Sequence, residues 1–274
     1  MTFPPTLPPD WIGYITAYHV QADGTLTWVR REPDGSGYEH GTVGYGWGGF
    51  VDVIAAGGNC LYARQPDGTL LWYRHDGFND GTYAWTGPRQ VGNGWNFPTI
   101  FPGGNGIVYA ITDEGTLLWY RHLEFATGGD VSTWAQPREI GQGWSEFRHV
   151  TGNGKGHIFA ITDADELFHY VHTGYADGSP TWGPRSVNRH FIWSEVERLI
   201  PLGDQRMLGV MGGQQGYLVF FHELGTTPPP VGHLGEDWQE SWQTPTSQND
   251  AFDVGWLASR ASFALLPTDP IPPH

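Results

Sequence analysis

Hydrophobic residues along this chain come in short bursts, each closed by a turn rich in glycine, asparagine or aspartate. The clearest stretch predicts four strands, at Pro98–Phe101, Ile107–Thr112, Thr116–His122 and Arg138–Gly141. The turn GGNG (103–106) joins the first two strands, and Asp113-Glu114-Gly115 joins the next two. A longer loop from Leu123 to Thr133 leads to the last strand. Glycine and asparagine tolerate the positive φ of tight turns, and Asp-Gly favours hairpins. The third burst is apolar at successive positions, which predicts a strand covered on both faces. Pro88, Pro137 and Pro184 open the fourth burst of successive units and predict an edge strand, where a missing N–H does no harm.

The unit repeats. Leu71-Trp72-Tyr73-Arg74-His75 returns unchanged at Leu118–His122, 47 residues later. Weaker copies lie at Phe168–His172 and Leu218–His222, and Thr27–Arg31 takes the same place upstream. Turns at Asp23-Gly24, Asp67-Gly68, Glu114-Gly115, Asp165-Glu166 and Gln215-Gly216 precede the copies. A tryptophan follows the first four, at Trp47, Trp95, Trp144 and Trp193, spaced by 48, 49 and 49 residues. Repeats of this length made of short strands predict a radial stack of sheets, a β-propeller.

The expected fold is therefore all-β: a five-bladed propeller of four-stranded antiparallel blades forming one domain over 1–274. The blades fall at about 11–47 plus 260–267, 48–95, 96–144, 145–193 and 194–256, with proline-rich tails at 1–10 and 268–274. The chain enters at a second-strand position, Tyr14–His19, so the first blade lacks its first strand. The segment Ser262–Pro267 resembles a first strand and is expected to complete it. Thr226–Pro230 opens an insertion in unit five that reaches about Ser241 and is expected to be a surface loop or a lid.

Composition narrows the function. The 274 residues include 40 Gly, 21 Pro and 14 Trp, enough aromatic mass for a core without long aliphatic runs. No apolar run is long enough to span a bilayer. The net charge of −15 with only 14 Lys and Arg argues against nucleic acid or an anionic membrane as partner. Cys60 is the only cysteine, which rules out an intramolecular disulfide and a cysteine-cluster metal site. The opening MTFPPTLPPDW lacks the basic and apolar regions of a signal peptide, so the sequence as written predicts a cytoplasmic protein. A leader removed beforehand would leave the same sequence, and secretion stays open.

The repeat resembles the tachylectin family of five-bladed propeller lectins. The resemblance rests on Gly-Trp-x-x-Phe at Trp144–Phe147, the Gly-rich turn, the strand Val108-Tyr109-Ala110-Ile111 and the turn Glu114–Leu117. It covers Tyr14 to about Pro267 and is strongest in units two and three. It implies pockets between neighbouring blades that bind amino sugars such as N-acetylglucosamine. A carbohydrate ligand could stack on Trp47, Trp95, Trp144, Trp193, Tyr62 or Tyr109, with Asn59, Asn105 and Asn153 meeting its hydroxyls. The same aromatics would equally serve as blade cores, and the asparagines as left-handed turn residues.

One position breaks the repeat. After each tryptophan marker the first strand carries Asp52, Thr99, His149 and Arg198 at equivalent places. First strands line the channel of a propeller, so an acid, an imidazole and a guanidinium could converge there. Such a set would suit an anion-binding or acid–base site, and it is the alternative to a lectin, an enzyme or single-site binder. His75, His122, His172 and His222 recur on different blades, too far apart to share a metal. No nucleophile elbow, phosphate loop or carboxylate pair is present, so no cofactor and no metal are expected, and the balance favours binding over catalysis.

Overall fold

The computed structural model describes residues 15–31, 38–189, 193–203, 206–211, 215–220 and 263–264. Four antiparallel sheets of four strands account for most of them. The first holds β1 (Ile15–Val20), β2 (Leu26–Arg31) and β3 (Tyr38–Gly44). The second holds β4 (Asp52–Gly57), β5 (Cys60–Arg64), β6 (Leu70–His75) and β7 (Trp85–Gly92). The third holds β8 (Thr99–Gly104), β9 (Ile107–Ile111), β10 (Leu117–Arg121) and β11 (Arg138–Gly141). The fourth holds β12 (His149–Gly152), β13 (His157–Ile161), β14 (Leu167–Val171) and β15 (Ser186–Asn188).

A further sheet has three described strands, β16 (Val196–Gly203), β17 (Arg206–Met211) and β18 (Gln215–Phe220). The sequence predicts five four-stranded blades; the described residues form four. The stretch where a fourth strand of the last sheet was expected, and the insertion beginning at Thr226, lie outside the described residues.

The two ends of the chain meet in the first sheet. The short strand β19 (Phe263–Ala264) pairs antiparallel with β1, Ala17 opposite Ala264 and Tyr18 opposite Phe263. It fills the first-strand place that the N-terminal unit lacks. Around the axis the innermost strands run in the order β4, β8, β12, β16, β19 and back to β4, each in contact with the next.

The two sequence markers travel together because they are bonded together. The second hairpin of each unit turns at a glycine with φ near +80°, namely Gly24, Gly68 and Gly115. In two of these turns the preceding aspartate accepts a backbone N–H two residues on, Asp23 from Thr25 and Asp67 from Thr69, both at 2.9 Å. The turn glycine carbonyl then receives the N–H of the marker tryptophan: Trp47 to Gly24, Trp95 to Gly68 and Trp144 to Gly115, at 2.9–3.0 Å. In the fourth unit Asp165 holds the left-handed place (φ +60°), and its carboxylate accepts the N–H of Ser194 instead. The turn survives the loss of its glycine because aspartate is among the residues that tolerate this region best.

The third strand corrects one expectation. β6 and β10 are not covered equally on both faces but alternate buried and half-buried residues. Trp72 points to the next blade, into a core with Ile100 and Val108. Tyr73 points to the previous blade and packs on Trp47 with one side left open. Of the three fourth-strand prolines, Pro88 is exposed within β7, the edge of its sheet, whereas Pro137 and Pro184 lie just before β11 and β15.

Candidate functional site

Two regions combine polar chemistry with partial exposure: the seams between blades and one rim of the central channel. The seams are built from the repeat itself. In the first three, a tyrosine on the second strand of one blade bonds the histidine that closes the third strand of the next. The pairs are Tyr18–His75 (2.7 Å), Tyr62–His122 (2.9 Å) and Tyr109–His172 (3.0 Å), each through Nδ1. The other ring nitrogen fixes the tautomer. His75 Nε2 and His172 Nε2 face the carbonyls of Thr82 and Ser179, which can only accept. His122 Nε2 faces Thr133 Oγ1, whose proton is given to the Asp130 carbonyl. Each Nε2 therefore carries the hydrogen, each Nδ1 accepts, and each tyrosine donates.

These histidines are fully buried and neutral. Burial lowers all three, and takes His122 to about 4. Each ring also lies against a tryptophan, His75 on Trp85, His122 on Trp134 and His172 on Trp182, with centroids 4.3–4.9 Å apart. Two indole bonds complete each seam. Trp28, Trp72 and Trp119 donate Nε1–H to the carbonyls of Phe78, Phe125 and Tyr175 in the next blade's long loop. Trp85, Trp134 and Trp182 donate back to Val43, Val91 and Ile140.

The seam between the fourth sheet and β16–β18 departs from this pattern. Phe159 stands where Tyr18, Tyr62 and Tyr109 stand, so the hydroxyl is missing. His169 replaces the indole of Trp28, Trp72 and Trp119, and bonds His157 at 2.8 Å within its own sheet. Burial lowers His169 to about 3, with His157 adding to the effect.

The residues expected to bind a ligand divide between two ends of the blade. Trp47, Trp95 and Trp144 sit at the end with the second hairpin, 5–6% exposed. Each joins a phenylalanine, a tyrosine and a second tryptophan in an aromatic box. The first box is Trp47, Phe50, Tyr73 and Trp85. The second is Trp95, Phe97, Tyr120 and Trp134, and the third is Trp144, Phe147, Tyr170 and Trp182. The phenylalanine, the tyrosine and the second tryptophan are half-buried, so each box opens on one side. Trp193 is fully buried.

Asn59, Asn105 and Asn153 lie in turns at the opposite end. Only Asn105 among them is left-handed (φ +51°). Asn59 Nδ2 donates to the His75 carbonyl (2.9 Å), and Asn153 is buried. Tyr62 and Tyr109 are buried, their hydroxyls engaged by histidine. The half-open Tyr73, Tyr120 and Tyr170 were missed by sequence reasoning; their place in the Trp-Tyr-Arg-His motif was the signal available.

At the channel rim the non-repeating position is brought together. Asp52, Thr99 and His149 are the first residues of β4, β8 and β12, and Arg198 stands near the start of β16. All four are half-exposed, whereas the residues that follow them on the same strands are buried. Arg64 crosses to Asp52, Nε to Oδ2 at 2.6 Å, and donates Nη1 to the carbonyls of Trp95 (2.9 Å) and Phe97 (2.5 Å). The N–H of Leu199 donates to His149 Nε2 (3.0 Å). Burial, with Arg198 behind it, lowers His149 to about 4, and the same two causes lower buried His19 to about 4. Burial takes Arg198 down to about 10, opposed by Asp52, so it stays charged at neutral pH.

Among the described residues, no group of three or more His, Cys, Asp and Glu is placed to hold a metal. No described helix is long and apolar enough to cross a membrane. Buried Cys60, its thiol pushed up to about 11 by burial, lies in the core between the second and third sheets.

A family model described as Tachylectin matches residues 13–196 and 89–225. No curated protein matches the chain. Similar solved structures include Prp20p from Saccharomyces cerevisiae, at 10% identity and a TM-score of 0.38, over 76% of this chain and 66% of that one. A protein from Lactobacillus plantarum matches at 12% identity and 0.38, over 76% and 63%. YCF48 bound to D1 peptide matches at 18% and 0.31, over 88% and 67%. The chain thus spans less than two thirds of the length of the first two. At such scores and identities the likeness says nothing about function.

Proposed function

We propose, given that the chain belongs to the tachylectin family, that it is a carbohydrate-binding lectin that takes amino sugars such as N-acetylglucosamine in clefts between blades. We read the ring as five-bladed, β16–β18 being the described part of the fifth blade. The observation that carries the lectin reading is the aromatic box, built three times over from the same residue types. A sugar ring has an apolar face that stacks on tryptophan or tyrosine, and a tyrosine hydroxyl can meet its polar edge. In this reading Trp47, Trp95 and Trp144 floor the boxes, and Tyr73, Tyr120 and Tyr170 with Trp85, Trp134 and Trp182 meet the ligand. Tyr62, Tyr109, Asn59, Asn105 and Asn153 then support the seam from behind. Repetition turns weak single sites into avidity for a surface that displays many copies of the sugar.

Calorimetric titration with N-acetylglucosamine, beside a glycan array, tests it. The expected result is more than one equivalent site per chain, with Tyr120→Ala removing one and leaving the rest. Absence of binding to every amino sugar would sink the reading.

A further inference from the structure

The three aromatic boxes share their residue types, but the first seam departs from the repeat at two exposed positions beside its box. Tyr45 is the variable residue of a Gly-x-Gly-Trp run, where the next two units have Asn93 and Gln142. Tyr83 stands two residues before Trp85, where the next two units have Ser132 and Pro180 ahead of Trp134 and Trp182. Tyr45 follows β3 of the first blade, and Tyr83 precedes β7 of the second. Their rings nevertheless meet, with centroids 6.3 Å apart and planes inclined by 35°. Tyr45 is 71% and Tyr83 60% exposed, so neither ring serves the core. The sister residues are exposed as well, so a small polar side chain would have satisfied the fold at both places. Two separate departures from the repeat, on two blades, converge in one seam.

We propose, on the lectin reading given above, that this pair is a second stacking subsite of the first box. The first seam then takes a linear oligosaccharide of amino sugars, where the second and third take a single ring. Continuity with the box is the first argument. Tyr45 lies two residues from Trp47 and Tyr83 two residues from Trp85, the two box walls that are 5.3 Å apart. Two residues of chain span at most ~7 Å, the scale of one step along a saccharide. The indole of Trp85 ties the same two segments across the seam, donating to the Val43 carbonyl at 2.6 Å.

The second argument is that both backbones are held before any ligand arrives. Tyr83 is the middle residue of a tight turn closed by the Ala84 N–H on the Thr82 carbonyl, at 2.7 Å. That carbonyl also receives Nε2–H of buried His75 (3.0 Å), and the Thr82 N–H is held by Asp80 (3.0 Å). Tyr45 precedes Gly46, whose φ of +79° turns the chain into Trp47. Groups held in place beforehand lose less freedom on binding. The third argument is chemical. Tilted rings at this separation are not stacked face to face, and each keeps much of its surface in solvent. Each offers an apolar face to a sugar ring and a hydroxyl to its polar edge. The chain around them is glycine and threonine, at Gly44, Gly46 and Thr82, rather than the aliphatic surround that an apolar peptide would need.

The test titrates the full chain by calorimetry with N-acetylglucosamine and with chitobiose and chitotriose, its linear dimer and trimer. The expected result is that an oligomer fills one site per chain ~10-fold more tightly than the monomer fills any, about the worth of one added aromatic contact. Tyr45→Ser and Tyr83→Ser should each remove most of that gain, and thermal melts should show the fold undisturbed, because both side chains are exposed. Tyr120→Ala, in the second box, should leave the gain intact. Oligomers that bind no tighter than the monomer, or a gain that survives both serine variants, overturn the proposal and leave the lectin reading standing. If no amino sugar of any length binds, both fall. A trimer that binds through the two tyrosines while the monomer binds nowhere keeps the subsite and sinks the reading of equivalent boxes.

Discussion

The hydroxyl of Tyr62, in the second blade, donates to Nδ1 of His122 in the third at 2.9 Å, and neither side chain touches solvent. The bond joins residues 60 positions apart and recurs in the two neighbouring seams. Tyr62→Phe would leave the Nδ1 lone pair buried without a donor, a loss of ~1–3 kcal/mol. His122→Ala also removes the ring stacked on Trp134, and should cost ~3 kcal/mol or more. Urea unfolding of both single variants and of the double variant checks this; the double should lose less than the sum of the two.

Acid should open the ring. A histidine whose folded pKa is depressed contributes stability that is complete above its unfolded value near 6.5 and lost as pH falls toward the folded value. His19, His122 and His149 are lowered to about 4 and His169 to about 3, in each case first by burial. The window of loss therefore runs from about pH 6.5 down to about 4 for the first three and to about 3 for His169. For His122 alone it corresponds to ~3 kcal/mol. Thermal melts across this window should fall steeply, and His122→Gln should flatten part of the slope.

Gly128→Ala should be costly for its size. Gly128 has φ +98°, and a Cβ there would meet the Trp72 ring at 2.7 Å, on the indole that donates to Phe125. Backbone strain and the crowded ring together should cost ~2 kcal/mol or more. By contrast, Gly94→Ala has open space around its Cβ and should cost only the strain of φ +70°. Paired thermal melts decide the point.

Arg64→Lys keeps the charge beside Asp52 and loses the fork that reaches the Trp95 and Phe97 carbonyls. A loss of ~2 kcal/mol is expected, because lysine cannot reproduce bonds in several fixed directions. Arg64→Met strands Asp52 and should cost ~3 kcal/mol, toward the lower end for a buried pair because Asp52 is one-third exposed. Chemical denaturation followed by tryptophan fluorescence reads both.

Most of the fold was legible because the repeat is written in residues whose backbone needs are local. Gly115 and Asp113-Glu114 mark a hairpin wherever they stand, and β9 and β11 fall where the hydrophobic bursts between turns put them. The closure by Phe263–Ala264 was legible from a missing first strand. What was hidden lies between blades. Nothing near Tyr62 in sequence says that its hydroxyl meets His122, so an aromatic offered as a ligand platform is found engaged in a seam. Tyr73, in the strongest motif of all, read as core, and only the packing of the previous blade leaves its face half-open. The rim set was visible as a broken repeat, but Arg64 at its side was not, since its partner Asp52 lies on the neighbouring strand.

Each of the first three blades offers a tyrosine hydroxyl and an indole N–H on one flank, and the blade that follows offers a histidine Nδ1 and a loop carbonyl on the other. Such units join head to tail like monomers of a polymer, and the joint itself sets no length. The fourth blade changes that grammar: Phe159 and His169 stand in place of the tyrosine and the tryptophan, so the same pair of bonds is not offered to β16–β18. Extra copies of 48–95 spliced ahead of it would meet matching flanks, whereas copies spliced behind it would not.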